Sequence, residues 1–127
     1  MKFSFIIGTL NRAKELEYCL KSLMNQIYKN FEIIIIDQSD NDLTEKMIAL
    51  FESENIVYKH VKFCGLSRAR NAALRLATGD YICLTDDDAY YHRDYLVNLV
   101  KHFQKCDSTI ISGYMWNAVE NMDFIDY

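Results

Sequence analysis

The sequence predicts an α/β protein built on an open, mostly parallel, twisted sheet with helices on both faces. Short apolar runs alternate with segments in which apolar residues recur every three or four positions, the patterns of strands and amphipathic helices. The run at residues 31–36 is continuous and β-branched, as in a strand buried on both faces. The resulting order, β-α-β-α-β-α-β-α-β, favours parallel strands joined by right-handed crossovers.

The first half of the chain supplies three strands and two helices. A strand is predicted at residues 2–8, where aromatic and β-branched residues run up to a glycine. A helix is predicted at residues 12–27, with Asn11 or Thr9 as its N-cap, because its apolar positions share one helical face. The next elements are a strand at 31–36, a helix through Leu43, Met47, Leu50 and Phe51, and a strand at 56–61.

The second half continues the alternation. An Ala- and Arg-rich helix is predicted at residues 67–77, closed by Gly79 at the C′ position. A strand at residues 81–84 follows and ends at an acidic triplet. The last elements are a helix marked by Leu96, Leu99, Val100 and Phe103 and a fifth strand at 109–114.

Composition limits the classes of protein that remain. A chain of 127 residues allows one domain, and a net charge of −4 without a basic stripe argues against a general nucleic-acid binder. The longest apolar run, at 33–36, is far shorter than the roughly 20 residues of a membrane span. The four cysteines form no CxxC pair, which predicts reduced thiols in the core rather than a zinc site.

Polar residues follow three of the predicted strands. They are Thr9 after the first strand, Asp37 after the second, and the triplet Asp86-Asp87-Asp88 after the fourth. The carboxyl ends of parallel strands lie at one edge of the sheet, where open α/β folds bind ligands. We therefore expect one ligand site at this edge.

The acidic triplet predicts a cation site. Three adjacent carboxylates repel one another unless a cation compensates them. Because alternate side chains of an extended segment share a face, Asp86 and Asp88 are expected to point one way and Asp87 another. Hard oxygen ligands suit Mg²⁺ or Mn²⁺ completed by waters and substrate phosphates, which implies a phosphorylated ligand. The alternative is a solvated acidic loop near a helix start.

Two further features fit such a ligand. Asp37 directly follows an apolar strand, so its carboxylate is available to accept hydrogen bonds from ligand N–H or hydroxyl groups; the alternative is a turn or cap aspartate. Arg68, Arg70 and Arg75 lie on the helix predicted at 67–77, where a guanidinium group can neutralise a diphosphate. The alternative for these arginines is a solvated helix face.

Three blocks of the sequence, "FSFIIGTLNR", "FEIIIIDQSDND" and "GLSRARNAALRLATGDYICLTDDDAYYHRDYL", resemble in order and spacing those of the family 2 glycosyltransferases with the GT-A fold. The resemblance covers residues 3–96. It implies transfer of a sugar from a nucleotide-diphosphate sugar, usually a UDP-sugar, to an acceptor hydroxyl in glycan or cell-surface polysaccharide synthesis. It further implies inversion at the anomeric carbon and a Mn²⁺ or Mg²⁺ cofactor.

The resemblance assigns roles to individual residues. Thr9 and Arg12 are expected to flank the nucleotide, Asp37 to accept the N3–H of the base, and Arg70 to face the diphosphate. The first strand is followed by Gly8 where the family usually has proline, a departure that removes no ligand.

The same resemblance divides the triplet by role. Asp86 is expected near the ribose and the metal, and Asp88 is expected to hold the metal. Asp87 occupies the variable middle of the motif and is counted with the nucleotide-binding residues. Gln38 stands where the family usually has a second aspartate, a departure that reduces the negative charge around the base.

Members of this family normally continue well beyond this length. Residues 1–127 are therefore expected to be a single nucleotide-sugar-binding domain, the N-terminal part of a longer glycosyltransferase whose general base lies outside the chain. Such a fragment is expected to be inactive alone and to form homo-oligomers through exposed core surface. The expected partners are a nucleotide-sugar donor and a glycan or lipid-linked acceptor, and the expected location is the cytoplasm, with peripheral attachment to the inner membrane face.

Proteins of other classes share parts of this pattern. A receiver domain, or a phosphatase with an Asp-x-Asp nucleophile, carries its acidic pair after the first strand, where this chain has Gly8-Thr9-Leu10-Asn11. The remaining alternative is a non-catalytic nucleotide-sugar-binding or assembly module.

Overall fold

Within residues 1–113, which the structure describes, four strands and four helices alternate along the chain. The structure is a computed structural model. The strands are β1 (Phe3–Thr9), β2 (Phe31–Asp37), β3 (Ile56–His60) and β4 (Tyr81–Thr85). The helices are α1 (Ala13–Met24), α2 (Leu43–Ala49), α3 (Leu66–Leu74) and α4 (Tyr95–Lys105).

All four strands are parallel and stand in the order β3-β2-β1-β4. Phe3 pairs with both Phe31 and Tyr81, so three of the strands begin level with one another. Every residue of β2 is buried, which explains the four consecutive isoleucines at residues 33–36: a central parallel strand is covered on both faces. These features confirm the predicted α/β architecture.

Alternate side chains of the central strands contribute to two apolar layers. On one face, aromatic and aliphatic residues of β1 and β2 pack with α1, α2 and α4. On the other face, Ile6, Ile34 and Ile36 pack with Ala69 of α3. A Cβ at Gly8 would lie 2.9 Å from the Ala69 Cβ, so the absence of a side chain here permits the close approach of α3 to the sheet.

Strand β4 forms one edge of the sheet and is only partly covered. Helix α3 packs against β1 and β2. On β4, the side chains of Ile82 and Leu84 remain 40% and 63% exposed. An apolar surface therefore lies beside this edge strand.

A polar cluster around Glu32 joins the strands at their amino-terminal ends. The Glu32 carboxylate accepts hydrogen bonds from Ser4 Oγ at 2.6 Å, and from Thr78 N and Oγ1 at 2.7 and 2.8 Å, and it pairs with Lys2 Nζ at 3.0 Å. Burial raises the pKa of Glu32, but these donors outweigh it and hold the pKa at about 2. The cluster fixes the turn that leads into β4.

Helix α1 departs from its predicted bounds at both ends. It was predicted over 12–27 with Asn11 or Thr9 as N-cap, but Arg12 holds the N-cap position and caps no helix N–H group with its side chain. The helix ends at Met24, three residues early, because the chain turns toward the β4–α4 loop, where Ile27 N–H donates to the Arg93 carbonyl at 3.0 Å.

Two other predictions are corrected. Helix α3 ends at Leu74 rather than 77, and Gly79 is not its C′ residue: its N–H donates to Ser4 Oγ at 2.8 Å in the turn before β4. Residues 109–113 of the predicted fifth strand are not in a strand, and Ile110 is 87% exposed, so this run lacks the pairing and packing that a strand requires. Tyr114 lies outside the described residues.

The cysteines are only partly core residues. Cys19 is buried and Cys83 half-buried, but Cys64 and Cys106 are exposed, so the prediction that all four lie in the core was wrong. In the part of the chain that the structure describes, no helix has the length and apolar character needed to cross a bilayer.

Candidate nucleotide and metal site

The loops after β1 and β2 are joined by Asn11. Its backbone N–H donates to Ser39 Oγ at 2.8 Å, and its side-chain Oδ1 accepts from Asp40 N at 3.2 Å. Asn11 has a φ of 54°, in the left-handed region that asparagine tolerates better than most residues. The two loops are thus held together before any ligand binds.

The middle residue of the acidic triplet is directed into the protein. Asp87 is 6% exposed and accepts a hydrogen bond from Thr9 Oγ1 at 2.9 Å, and it pairs with Arg12 Nη1 at 3.0 Å. Burial raises the pKa of Asp87, while the Thr9 hydrogen bond and the Arg12 charge oppose that rise. Asp87 therefore connects the loop after β4 to the loop after β1.

The outer residues of the triplet face solvent. Asp86 and Asp88 have side chains 67% and 55% exposed, the directions that were predicted, but the triplet lies in a turn after β4 and not in an extended segment: the Ala89 N–H donates to the Asp86 carbonyl at 3.2 Å. Each pairs with one arginine at 3.2 Å: Asp86 with Arg70 of α3, and Asp88 with Arg12. Arg70 also has a buried Nε–H group that finds no hydrogen-bond partner among the described residues.

Asp37 lies at the same edge but is fully buried. One carboxylate oxygen, Oδ1, accepts the Ser39 N–H at 2.9 Å, as in an Asx turn, and the other, Oδ2, accepts the Tyr58 hydroxyl at 2.6 Å. His60 Nε2 lies 2.8 Å from the Ser39 carbonyl oxygen. Each carboxylate oxygen has a second lone pair for another donor.

The segment behind the triplet is anchored to α1. Gln26 is fully buried, and its amide donates to the His92 carbonyl at 2.7 Å and accepts the Leu96 N–H at 3.0 Å. This one side chain satisfies backbone groups on both sides of the start of α4. It thereby fixes the path of the chain just after the acidic triplet.

The exposed carboxylates suit a divalent cation. Among residues 1–113 no group of three or more His, Cys, Asp and Glu side chains is arranged to hold a metal ion. Two carboxylates are nevertheless a fitting partial ligand set for Mg²⁺ or Mn²⁺, since such ions retain waters and take oxygens from substrate phosphates. Asp86 and Asp88 are the side chains that would hold the ion.

The structure brings most of the sequence-predicted residues into one network. Contacts join Thr9, Arg12, Asp87 and Asp88, and the Arg70–Asp86 pair is linked to them through the backbone from Asp86 to Asp87. Asp37 joins it indirectly, through Ser39 and Asn11. Sequence reasoning missed Ser39 and Tyr58, and treated Asn11 only as a cap. Nothing in local periodicity marks these three, because their partners come from other loops and strands.

Solved structures of similar fold are glycosyltransferases. Staphylococcus aureus TarS (residues 1–349) superposes with a TM-score of 0.77 at 26% identity, over 83% of this chain and 33% of that one. A mannosyltransferase from Pyrobaculum calidifontis, solved with GDP-Man and Mn²⁺, has a TM-score of 0.71 at 30% identity, over 79% and 31%. The fold is thus that of the GT-A glycosyltransferases.

Sequence comparison assigns the family. The model of "Glycosyl transferase family 2" matches residues 4–123, and the chain belongs to that family. The glycosyltransferase GlyA of Streptococcus pneumoniae is 30% identical over 95% of this chain and 18% of its own length. WfaP of Escherichia coli, a UDP-Glc:α-D-GlcNAc-diphosphoundecaprenol β-1,3-glucosyltransferase, is 34% identical over 86% and 43%. The chain spans less than half the length of either relative.

Proposed function

We propose that this chain is the donor-binding part of an inverting, metal-dependent glycosyltransferase that uses a UDP-sugar in cell-surface polysaccharide synthesis. The observation that carries the proposal is the joined network at the carboxyl ends of the strands, where carboxylates and guanidinium groups from three loops and α3 meet. The solved UDP complex of TarS, at 26% identity, and the UDP-glucose-dependent WfaP support the choice of nucleotide.

The residues divide between the parts of the donor. Asp37, whose carboxylate only accepts hydrogen bonds when ionised, suits a base that presents an N–H, such as uracil. Arg12 and Arg70 suit the diphosphate, since guanidinium groups match phosphate oxygens. Asp87 positions Arg12 through their ion pair, and Thr9 in turn holds Asp87 through a hydrogen bond.

The exposed carboxylates of Asp86 and Asp88 would hold the cation, with Asp86 also near the ribose. A bound Mn²⁺ or Mg²⁺ supplies Lewis-acid chemistry that neutralises charge on the departing diphosphate. In the reaction, an acceptor hydroxyl forms a bond to the anomeric carbon as the bond from that carbon to the diphosphate breaks. The hydroxyl proton passes to a general base, for which we assign no residue of this chain.

Two relatives support a proposal for the acceptor and the cellular setting. WfaP acts on a diphosphoundecaprenol-linked sugar, and AmsB of Erwinia amylovora, 36% identical over 76% of this chain and 34% of its own length, is an amylovoran biosynthesis enzyme. We propose a glycan or lipid-linked acceptor reached at the cytoplasmic membrane face. The exposed side chains of Ile82 and Leu84, on the edge strand β4, are apolar surface available to a second copy.

Calorimetric titration tests the donor site. UDP is titrated into the 127-residue chain with and without Mn²⁺, with GDP for comparison, and the titrations are repeated with Asp88→Ala. Asp107→Ala is the matched control, because Asp107 is an exposed aspartate outside the network. We expect UDP binding that needs Mn²⁺, is lost in Asp88→Ala and is kept in Asp107→Ala.

Failure to bind either nucleotide by a folded chain would overturn the donor-site assignment. Sugar transfer is measured separately, with a UDP-sugar and a lipid-linked acceptor. Because no general base is assigned, we expect the isolated chain to bind the nucleotide without turnover, the behaviour of a binding module. Measurable transfer by residues 1–127 alone would contradict that part of the proposal.

A further inference from the structure

The Tyr58 side chain reaches Asp37 from the edge strand of the sheet. In the β2–β3 register Tyr58 lies opposite Ile35, two residues before Asp37. Residues two apart on a strand share a face, so the tyrosine ring runs along the sheet toward the Asp37 carboxylate. The Tyr58 Oη to Asp37 Oδ2 distance is 2.6 Å, as expected for an O–H donor bonded to an ionised oxygen.

Among residues 1–113, the Tyr58 hydroxyl is the donor that holds the Asp37 carboxylate from outside its own loop. The other hydrogen bond to Asp37 comes from Ser39, two residues along the chain, and it moves with the loop. His60, on the same strand as Tyr58, holds the Ser39 carbonyl from the same side. Burial and the contact with Asp37 raise the pKa of Tyr58, so its hydroxyl remains a donor at neutral pH.

The orientation of this carboxylate matters for the choice of base. At the N3 position uracil presents an N–H donor, whereas cytosine presents a lone pair that an ionised carboxylate repels. A carboxylate held in one orientation distinguishes the two, and one free to rotate does so less well. When the wrong base binds, the buried carboxylate is left without a donor, and the free-energy cost of that unpaired group is what discriminates between the two bases.

We propose that Tyr58 is a positioning residue whose hydroxyl orients the Asp37 carboxylate so that the site prefers uridine to cytidine diphosphates. The inference rests on the proposed function, since it requires that the base lies at Asp37. It adds a specificity determinant on β3, a strand that carries none of the residues predicted from the sequence.

The test is the ratio of UDP to CDP affinity, measured by calorimetry with Mn²⁺ for the 127-residue chain and for Tyr58→Phe. The Tyr58–Asp37 hydrogen bond is made in the free chain as well as in the proposed complex, so its removal changes affinity through the lost orientation of the carboxylate and not through the whole energy of the bond. We expect Tyr58→Phe to weaken UDP binding severalfold and CDP binding much less. Tyr18→Phe, on the exposed face of α1, should leave the ratio unchanged.

A double-mutant cycle of Tyr58→Phe with Asp37→Asn distinguishes an effect on the orientation of the carboxylate from a general loss of protein stability. Asp37→Asn alone should lower the ratio, and adding Tyr58→Phe to it should lower the ratio no further. Weaker thermal stability of Tyr58→Phe with an unchanged ratio would assign Tyr58 a purely structural role and overturn this inference alone. Absence of UDP binding by the unaltered chain would overturn the proposed function and the inference with it.

Discussion

Replacing Glu32 with glutamine is expected to destabilise the fold strongly at neutral pH and weakly in acid. Glu32 receives four donor contacts between 2.6 and 3.0 Å, and its carboxylate is their shared acceptor. The amide of glutamine keeps one oxygen but turns an N–H₂ group toward either Lys2 Nζ or the other donors. A donor facing a donor loses the hydrogen bond and leaves a buried group unsatisfied.

The magnitude follows from the pKa of Glu32. A fall from the ordinary 4.5 to about 2 in the folded state corresponds to about 3 kcal/mol of stabilisation. Because the folded pKa is the lower one, this stabilisation is complete above pH 4.5 and is lost as the pH falls toward 2. By pH 3 roughly half or more of it should be gone.

Urea denaturation of the two proteins at pH 7 and at pH 3 measures this difference. Glu32→Gln should lower the free energy of unfolding by about 2–3 kcal/mol at pH 7 and by clearly less at pH 3. Glu52→Gln provides the control, because Glu52 is exposed, and we expect little change at either pH. An equal loss for Glu32→Gln at both pH values would refute the assignment of the stabilisation to the ionised carboxylate.

Two further substitutions test contacts that position the site. Gly8→Ala should lower the free energy of unfolding by about 1–3 kcal/mol in urea denaturation, since its Cβ would lie 2.9 Å from the Ala69 Cβ. Gly113→Ala should be neutral, because among the described residues the nearest atom to its Cβ would be 3.9 Å away, in Tyr95. Gln26→Leu should leave the Leu96 N–H unpaired, at a cost of about 1–3 kcal/mol, whereas the His92 carbonyl keeps the Tyr95 N–H as a donor. Hydrogen exchange at the Leu96 amide should become faster, and unchanged exchange there would contradict the anchoring role.

Much of the fold could be predicted from the sequence because its signals are local. The isoleucine run at residues 33–36 and the helical spacing in α1 each lie within a few residues of chain. Element ends were predicted less well. Helix α1 stops early because Gln26 and Ile27 bond to the β4–α4 loop, more than 60 residues away. Gly79 was taken for a helix terminator, but its position is set by Ser4, 75 residues away.

In the candidate site, too, the residues with a local sequence signal were predicted and those placed by distant contacts were not. Asp37 and the triplet were found because each follows an apolar strand, and strand ends of a parallel sheet share an edge. Asp87 points away from Asp86 and Asp88 as predicted, although it does so in a turn, and no local pattern indicated that Thr9 and Arg12 would contact it. Tyr58 could not be predicted from the sequence either, because only the β2–β3 register brings its side chain to Asp37.

The arginine pairing of the triplet bears on how this protein reaches its folded state. Neighbouring carboxylates oppose compaction unless positive charge arrives, and here Arg12 and Arg70 bring that charge from within the chain. Folding of this strand end is thus independent of cation supply, unlike that of zinc domains that unfold when their ion is withdrawn. A chelator should leave the circular dichroism and melting temperature of the chain unchanged, so a newly made molecule is competent to fold wherever divalent ions are scarce.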